Sequence, residues 1–459
     1  MSKNSSSYQC SACKSTFSKW VGQCPTCKEW TTLVEVSNAA QVSSRAVGVK
    51  SNATSSIPSI PAARASEISL DGHSHESTGI GELDRVLGGG LVPGGVILMA
   101  GEPGAGKSTL ATDVVNKVAL TGKTTLFVSS EEAREQIALR AQRIGATSDG
   151  MYIAAETDLA RVLGHIEALS PDLVVVDSIQ TLASGEIDAR AGSMSQVIEV
   201  STVLSRIAKE RGIPMILIGQ VTKDGNIAGP RTVEHLVDVV LHFEGDRDSS
   251  LRILRGIKNR YGPSDEIGCF EHTGKGIIEV PDPSGLLLGK REAPVSGVAT
   301  AIIIEGMRPL PVEVQALVAG SALPVPRRAV SGLDLGRTTM VQAILERHGK
   351  VRLSDKDVFA STIGGMRTRE PSIDLATAIA LDSAASDYAI PLGVIVIGEV
   401  TLSGEVRQVP GIERRLNEAA RLGFTRAIIP SGSKVSIKGM GVSKVSTIVE
   451  ALSIARGLT

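Results

Sequence analysis

Gly101-Glu102-Pro103-Gly104-Ala105-Gly106-Lys107-Ser108-Thr109 spells G-x-x-x-x-G-K-[ST] without a gap. The residues before it, Val96-Ile97-Leu98-Met99-Ala100, read as a short buried strand, and the chain from Leu110 onward reads as a helix. Strand, glycine loop and helix in that order are the setting of a phosphate-binding P-loop. Glycines let backbone N–H groups turn inward around phosphate oxygens, and the helix N-terminus adds partial positive charge. In this arrangement Lys107 reaches the β- and γ-phosphates and the Ser108 hydroxyl ligates Mg²⁺. The segment therefore predicts a nucleoside triphosphate site.

Further strand ends supply the groups such a site needs. Leu173-Val174-Val175-Val176-Asp177 is an apolar strand ending in a carboxylate, the Walker B pattern, and Asp177 is placed to hold Mg²⁺. Phe127-Val128-Ser129-Ser130-Glu131-Glu132 puts two acids at the end of another strand. Hydrolysis needs a carboxylate near the γ-phosphate to orient water, and Glu131 is the first choice with Glu132 as alternate. Gln220 ends Ile216-Leu217-Ile218-Gly219-Gln220, where a polar group can sense the γ-phosphate and pass the signal to the loop at 221–232. Downstream, Lys258-Asn259-Arg260-Tyr261-Gly262 carries cations at i and i+2, which face one side of extended chain and suit an anion: a DNA phosphate or the triphosphate of a neighbouring subunit.

At 459 residues the chain is too long for one core, and 42% apolar residues suffice to fill several. Strand-like runs at 96–100, 125–129, 173–176, 215–218 and 239–243 alternate with amphipathic stretches such as Gln196–Arg211, predicting a parallel α/β sheet with crossover helices. The ligand then sits at the carboxyl ends of the strands. We expect four regions: a metal-binding module over 1–36, a Ser/Ala/Pro-rich tether over 37–66, the P-loop domain over 67–285, and a second α/β block over 286–459.

The first module holds Cys10, Cys13, Cys24 and Cys27 as two C-x-x-C knuckles. Four clustered thiolates are the ligand set of a closed tetrahedral Zn²⁺ site, and metal supplies folding energy where apolar residues are few. Trp20 and Trp30, the two tryptophans of the chain, are expected to pack the small core around it. A formal charge of −1 gives no global attraction to nucleic acid, so polyanion binding must come from local patches. No apolar run approaches the ~18 residues of a membrane span, and the N-terminus lacks the apolar core of a signal peptide, which points to the cytoplasm.

Taken together, these motifs resemble the RadA (Sms) family of bacterial DNA repair proteins over nearly the whole chain. The order carries the resemblance: the cysteine module, Thr78-Gly79-Ile80-Gly81-Glu82-Leu83-Asp84-Arg85, Walker A, Asp177-Ser178-Ile179-Gln180-Thr181, then the 258–262 motif. That motif is KNRFG in the family, so Tyr261 replaces a phenylalanine, and Gln220 stands where histidine is expected. The resemblance implies a RecA-like ATPase that binds ATP with Mg²⁺, assembles as a hexameric ring and drives branch migration of recombination intermediates beside RecA. It implies that Lys258 and Arg260 act in trans on a neighbour's ATP and also face DNA. It further implies that Lys223 and Arg231 lie in a loop contacting single-stranded DNA. The block over 286–459 resembles the Lon protease domain: Ser372 in Glu370-Pro371-Ser372-Ile373-Asp374 falls on the Lon nucleophile, and Glu413 falls on its catalytic lysine. A serine needs an adjacent base. The block is therefore read as a non-proteolytic ring scaffold.

Overall fold

A computed structural model describes residues 7–10, 15–17, 20–30, 32–36, 64, 66, 74–220, 232–245 and 249–458. Cys13, Lys223 and Arg231 lie outside the described residues. The chain divides into two compact units, Met1–Ser69 and Leu70–Thr459.

The first unit is a small three-stranded module. Its strands β1 (Ser7–Cys10), β2 (Thr16–Phe17) and β3 (Leu33–Val36) form an antiparallel sheet ordered β2-β1-β3. Its buried cluster is Cys10 and Cys24, with Phe17 and Cys27 against them. Trp20 and Trp30 are 58% and 69% exposed, which corrects the expectation that they fill this core.

The second unit begins with α1 (Gly81–Leu87), β4 (Val96–Gly101) and α2 (Lys107–Ala119). Alternation continues through β5 (Thr125–Ser129), α3 (Arg134–Ile144), β6 (Met151–Ala155), α4 (Leu159–Leu169), β7 (Leu173–Asp177), α5 (Met194–Arg211), β8 (Met215–Gln220), α6 (Thr232–Leu236) and β9 (Val239–Glu244). Strands β4, β5 and β7 are buried at every position, so they read as unbroken apolar runs. β10 (Leu251–Asn259), β11 (Ile267–Thr273) and β12 (Gly276–Glu279) complete a nine-stranded sheet ordered β12-β11-β10-β9-β4-β8-β7-β5-β6. The strands from β9 to β6 in that order pair in parallel, as expected. β10, β11 and β12 instead extend the edge as antiparallel hairpins. The turns at 260–266 and 274–275 are too short for a crossover helix.

Beyond α7 (Ser284–Leu287) the Lon-like half follows: β13 (Val298–Glu305), β14 (Arg308–Gly320), β15 (Arg328–Ser331), α8 (Leu335–Ile344), β16 (Lys356–Thr362) and α9 (Asp374–Ser386). It ends with β17 (Val394–Val396), β18 (Glu399–Val400), β19 (Val406–Arg407), α10 (Ile412–Arg421), β20 (Arg426–Pro430), β21 (Gly441–Val445) and α11 (Ile448–Arg456). Its main sheet runs β15-β16-β14-β13-β17-β20-β21. Helix α9 is buried from Asp374 to Ser383, and its alanine-rich sequence lets it sit centrally against β13 and β14.

The two halves share one core. Leu251, Ile267, Cys269 and Leu287 pack in the same cluster as Ile303, Val312, Leu375 and Ile379. Polar bonds reinforce the junction. Glu82 on α1 accepts from the Cys269 amide at 2.8 Å and pairs with the Arg308 guanidinium, which also donates to the Pro281 carbonyl. The turn between β13 and β14 docks under the Asp265 carbonyl, which accepts from the Met307 amide at 2.9 Å. Gly306 there has φ +60° and a Cβ would lie 1.7 Å from the Asp265 oxygen, so glycine alone fits.

Candidate active site

Gly101, Ser129, Asp177 and Gln220 end adjacent parallel strands, so the last three side chains and the loops after all four strands converge at one edge of the sheet. The P-loop turns back through Gly104 and Gly106, at φ +81° and +108°, and α2 starts at Lys107. A Cβ on Gly106 would lie 2.6 Å from Ile277 of the β12 hairpin, which buttresses the loop. Lys107 is buried; its ammonium donates to the Gly101 and Glu102 carbonyls at 2.7 and 2.9 Å. Burial pulls its pKa below the ordinary value, with Asp177, Glu131 and Glu102 opposing that shift. Burial likewise raises the Asp177 carboxyl above its usual range, and the Ser108 hydroxyl, donating to it, pulls the other way. Ser108 and Asp177, a hydroxyl and a carboxylate in contact, form the hard oxygen pair that suits Mg²⁺.

The two acids after β5 are placed differently. Glu131 is exposed and accepts three bonds: from the Ser178 hydroxyl at 2.6 Å and from the Gln220 amide at 3.1 and 3.3 Å. Glu132 turns to α3, where Arg140 pairs with it at 2.8 Å and stacks over Phe127 at 5.9 Å. Glu131, Asp177, Gln220 and Lys107 thus share the P-loop edge, while Glu132 is occupied by an arginine. The peptide joining Asp177 to Ser178 is cis.

Lys258 and Arg260 lie elsewhere. Lys258 is paired with Val240, and Val240 with Leu98, while the Arg260 amide donates to the Asp238 carbonyl beside Val96. Val96 is at the opposite end of β4 from Gly101, about 17 Å along the strand. The Lys258 ammonium donates to the Glu234 and Val237 carbonyls, both at 2.7 Å, closing the end of α6. Arg260 is 51% exposed and pairs at 2.9 Å with buried Asp238, which also holds Lys209 at 3.5 Å. Burial and the neighbouring Asp238 carboxylate push the Tyr261 phenol up to about 12.

In the first unit the Cys10, Cys24 and Cys27 sulfurs lie within 4.8 Å of one another, with Cys10 and Cys27 3.6 Å apart. Tetrahedral Zn²⁺ with Zn–S of ~2.3 Å holds its sulfurs ~3.8 Å apart, so three thiolates at this spacing fit the ion.

In the Lon-like half, Ser372 is buried and accepts at 3.1 Å from Arg415, a residue the sequence motifs did not single out. Arg415 also donates to the Ile302 carbonyl at 2.7 Å, to the Pro410 carbonyl at 3.0 Å and to Glu370. Glu413 is exposed on the outer face of α10. The signal lay in helical spacing: Arg415, Leu416 and Ala419 share the buried face.

Among the described residues no helix is long and apolar enough to cross a membrane. Three family models match the chain: AAA domain over residues 66–226, rubredoxin metal binding domain over 8–35, and Lon protease (S16) C-terminal proteolytic domain over 348–452. These matches and the site geometry assign ATP and Mg²⁺ to the P-loop edge and Zn²⁺ to the first unit. A KaiC-like protein from Pyrococcus horikoshii is similar at 22% identity and TM-score 0.38, over 45% of this chain and 99% of its own. The DNA repair protein RadA of Mycolicibacterium smegmatis is 49% identical over 99% of this chain and 98% of its own length. That of Escherichia coli is 40% identical over 97% of each. On these full-length matches, the chain belongs to the RadA family of bacterial DNA repair proteins.

Proposed function

We propose that this chain is a DNA-dependent ATPase that works as a hexameric ring on single-stranded DNA and drives branch migration of recombination intermediates beside RecA. The observation that carries the reading is the separation of the two halves of the site. Lys107, Ser108, Glu131, Asp177 and Gln220 gather at one end of the sheet, and Lys258 and Arg260 lie at the other. An arginine so placed cannot stabilise charge on its own subunit's γ-phosphate, yet it is exposed for a neighbour's.

In each site the backbone N–H groups of Gly101–Thr109 hold the phosphates. Lys107 releases the Gly101 and Glu102 carbonyls to reach the β- and γ-oxygens. Ser108 and Asp177 hold Mg²⁺, which neutralises phosphate charge when bound. Glu131 orients the attacking water, and Gln220 couples the γ-phosphate to the loop that follows it. Lys223 and Arg231 of that loop face the DNA; phosphate contacts of this kind make binding salt-dependent and sequence-tolerant. Lys258 caps α6 through the Glu234 and Val237 carbonyls, beside Arg260 in the trans site.

The Lon-like half serves as a non-proteolytic scaffold. Ser372 has for its partner an arginine, which stays protonated in proteins and cannot accept the serine proton.

ATP turnover is expected to rise with single-stranded DNA and to vanish in Lys107→Ala. Arg260→Ala mixed with Lys107→Ala should recover part of the activity that each lacks alone, since mixed rings pair an intact P-loop with an intact finger. Turnover indifferent to DNA, or no recovery on mixing, would count against the reading.

A further inference from the structure

The network behind Glu131 assigns a role to a residue outside the phosphate cradle. Ser178 is fully buried, whereas Glu131, which must meet water, is exposed. An exposed glutamate has three free torsions, and orientation of the water depends on removing that freedom. The Ser178 hydroxyl stands 2.6 Å from one carboxylate oxygen. Two acceptors are within its reach, the Glu131 carboxylate and, farther off at 3.2 Å, the Thr181 hydroxyl. The Ser178 carbonyl accepts from the Ser130 hydroxyl at 2.8 Å, and the Ser178 amide donates back to the Ser130 oxygen at 3.1 Å. The Thr181 hydroxyl lies 2.5 Å from the Ser130 oxygen and 3.2 Å from both the Ser178 hydroxyl and the Ser178 carbonyl, so its one proton is shared among these contacts. The Ser178 proton goes to Glu131, which offers the shorter contact and the charged acceptor.

We propose that Ser178, seated by Ser130 and Thr181, is a positioning residue that aims the Glu131 carboxylate at the attacking water. The proposal rests on Glu131 being the water-orienting carboxylate. It also gives the S-S-E and D-S-x-x-T segments a common purpose: hydroxyls from two adjacent strand ends lock one short charge-assisted bond. Gln220 supplies the other two bonds from a third strand, on the carboxylate's open side. A γ-phosphate that attracts the Gln220 amide leaves Ser178 as the remaining anchor of Glu131.

The test uses the full-length chain with Mg²⁺, ATP and single-stranded DNA, and compares Ser178→Thr with Ser178→Val. These two side chains have nearly the same shape and differ in the hydroxyl. Ser178→Val is expected to lower kcat by roughly 10- to 100-fold, the range for a misaimed catalytic group, with KM for ATP and the affinity for a fluorescent ATP analogue unchanged. Ser178→Thr should recover most of the rate. In a Glu131→Gln background the Ser178→Val change should have no further effect, because the carboxylate it aims is gone. Equal rates for the valine and threonine variants, or losses of kcat that add in the double variant, would overturn the positioning role while leaving Glu131 in place. Near-normal turnover by Glu131→Gln itself would overturn both the role of Glu131 and that of Ser178.

Discussion

Replacing Arg308 by alanine removes the guanidinium that bridges the P-loop half and the Lon-like half. Its partner, Glu82, is 1% exposed and Arg308 itself 10%. Removing one partner of a buried ion pair costs about 3–5 kcal/mol, because the other charge stays behind without compensation. Glu82 keeps the Cys269 amide at 2.8 Å and Arg85 at 3.3 Å, which places the expected loss at the low end, about 3 kcal/mol. That is about 150-fold in the unfolding equilibrium constant. A control follows from the same geometry. Glu82→Leu with Arg308→Met removes both charges but leaves the Cys269 amide without its acceptor, so it should recover the ion-pair penalty less about 1–3 kcal/mol. Both tryptophans lie in the first unit, so urea unfolding is best followed by far-UV circular dichroism or pulse proteolysis of the full chain. An Arg308→Ala variant within about 1 kcal/mol of wild type would refute the argument, since buried Glu82 would then be indifferent to its partner.

Purified protein is expected to carry one Zn²⁺ per chain by elemental analysis. Chelation should change the fluorescence of Trp20 and Trp30 while the circular dichroism of the second unit persists. Tyr261→Phe should change the alkaline limb of stability. With the phenol raised from 10.0 to about 12, the folded state holds a proton that the unfolded state loses, so stability falls as pH climbs from 10 towards 12. The phenylalanine variant should fall less steeply over that window in urea unfolding; identical slopes would show that the phenol is not shielded.

Much of the P-loop half was legible because burial on both faces of β4, β5 and β7 leaves a one-dimensional trace, an apolar run with a polar residue at its end. The β6 strand left no such trace: it is the sheet's edge, and four of its five positions are at least partly exposed. The β10–β12 extension carries Arg252, Arg255 and Lys258 on pleated strands, so its sequence reads as charged surface. Buried charges are the hardest to foresee. Glu82, Arg308 and Arg415 look like ordinary surface residues in sequence, and only long-range pairing shows why they are inside. The same limit applied to the choice between Glu131 and Glu132. They are neighbours in sequence, yet the turn after β5 sends one towards Gln220 and the other towards Arg140.

Arg415 also bears on what the Lon-like frame can do. Motif alignment places Glu413 at the position of the Lon lysine, but the helical face that points inward brings Arg415 to Ser372. Substituting lysine at 415 would put an amine beside a buried serine, superficially a Ser–Lys pair. The surroundings argue that it would be inert. Glu370, which pairs with Arg415, would hold the new ammonium in its charged form, and a protonated amine cannot take the serine proton. Lysine has three donors where arginine has five, so the Ile302 and Pro410 carbonyls could not both keep their bonds together with Glu370 and Ser372. Arg415→Lys is therefore expected to be less stable than wild type by about 2 kcal/mol and to leave casein intact. Casein hydrolysis by Arg415→Lys that disappears on adding Ser372→Ala would show that the frame still aims its serine at a peptide. The scaffold reading of this half would then be wrong.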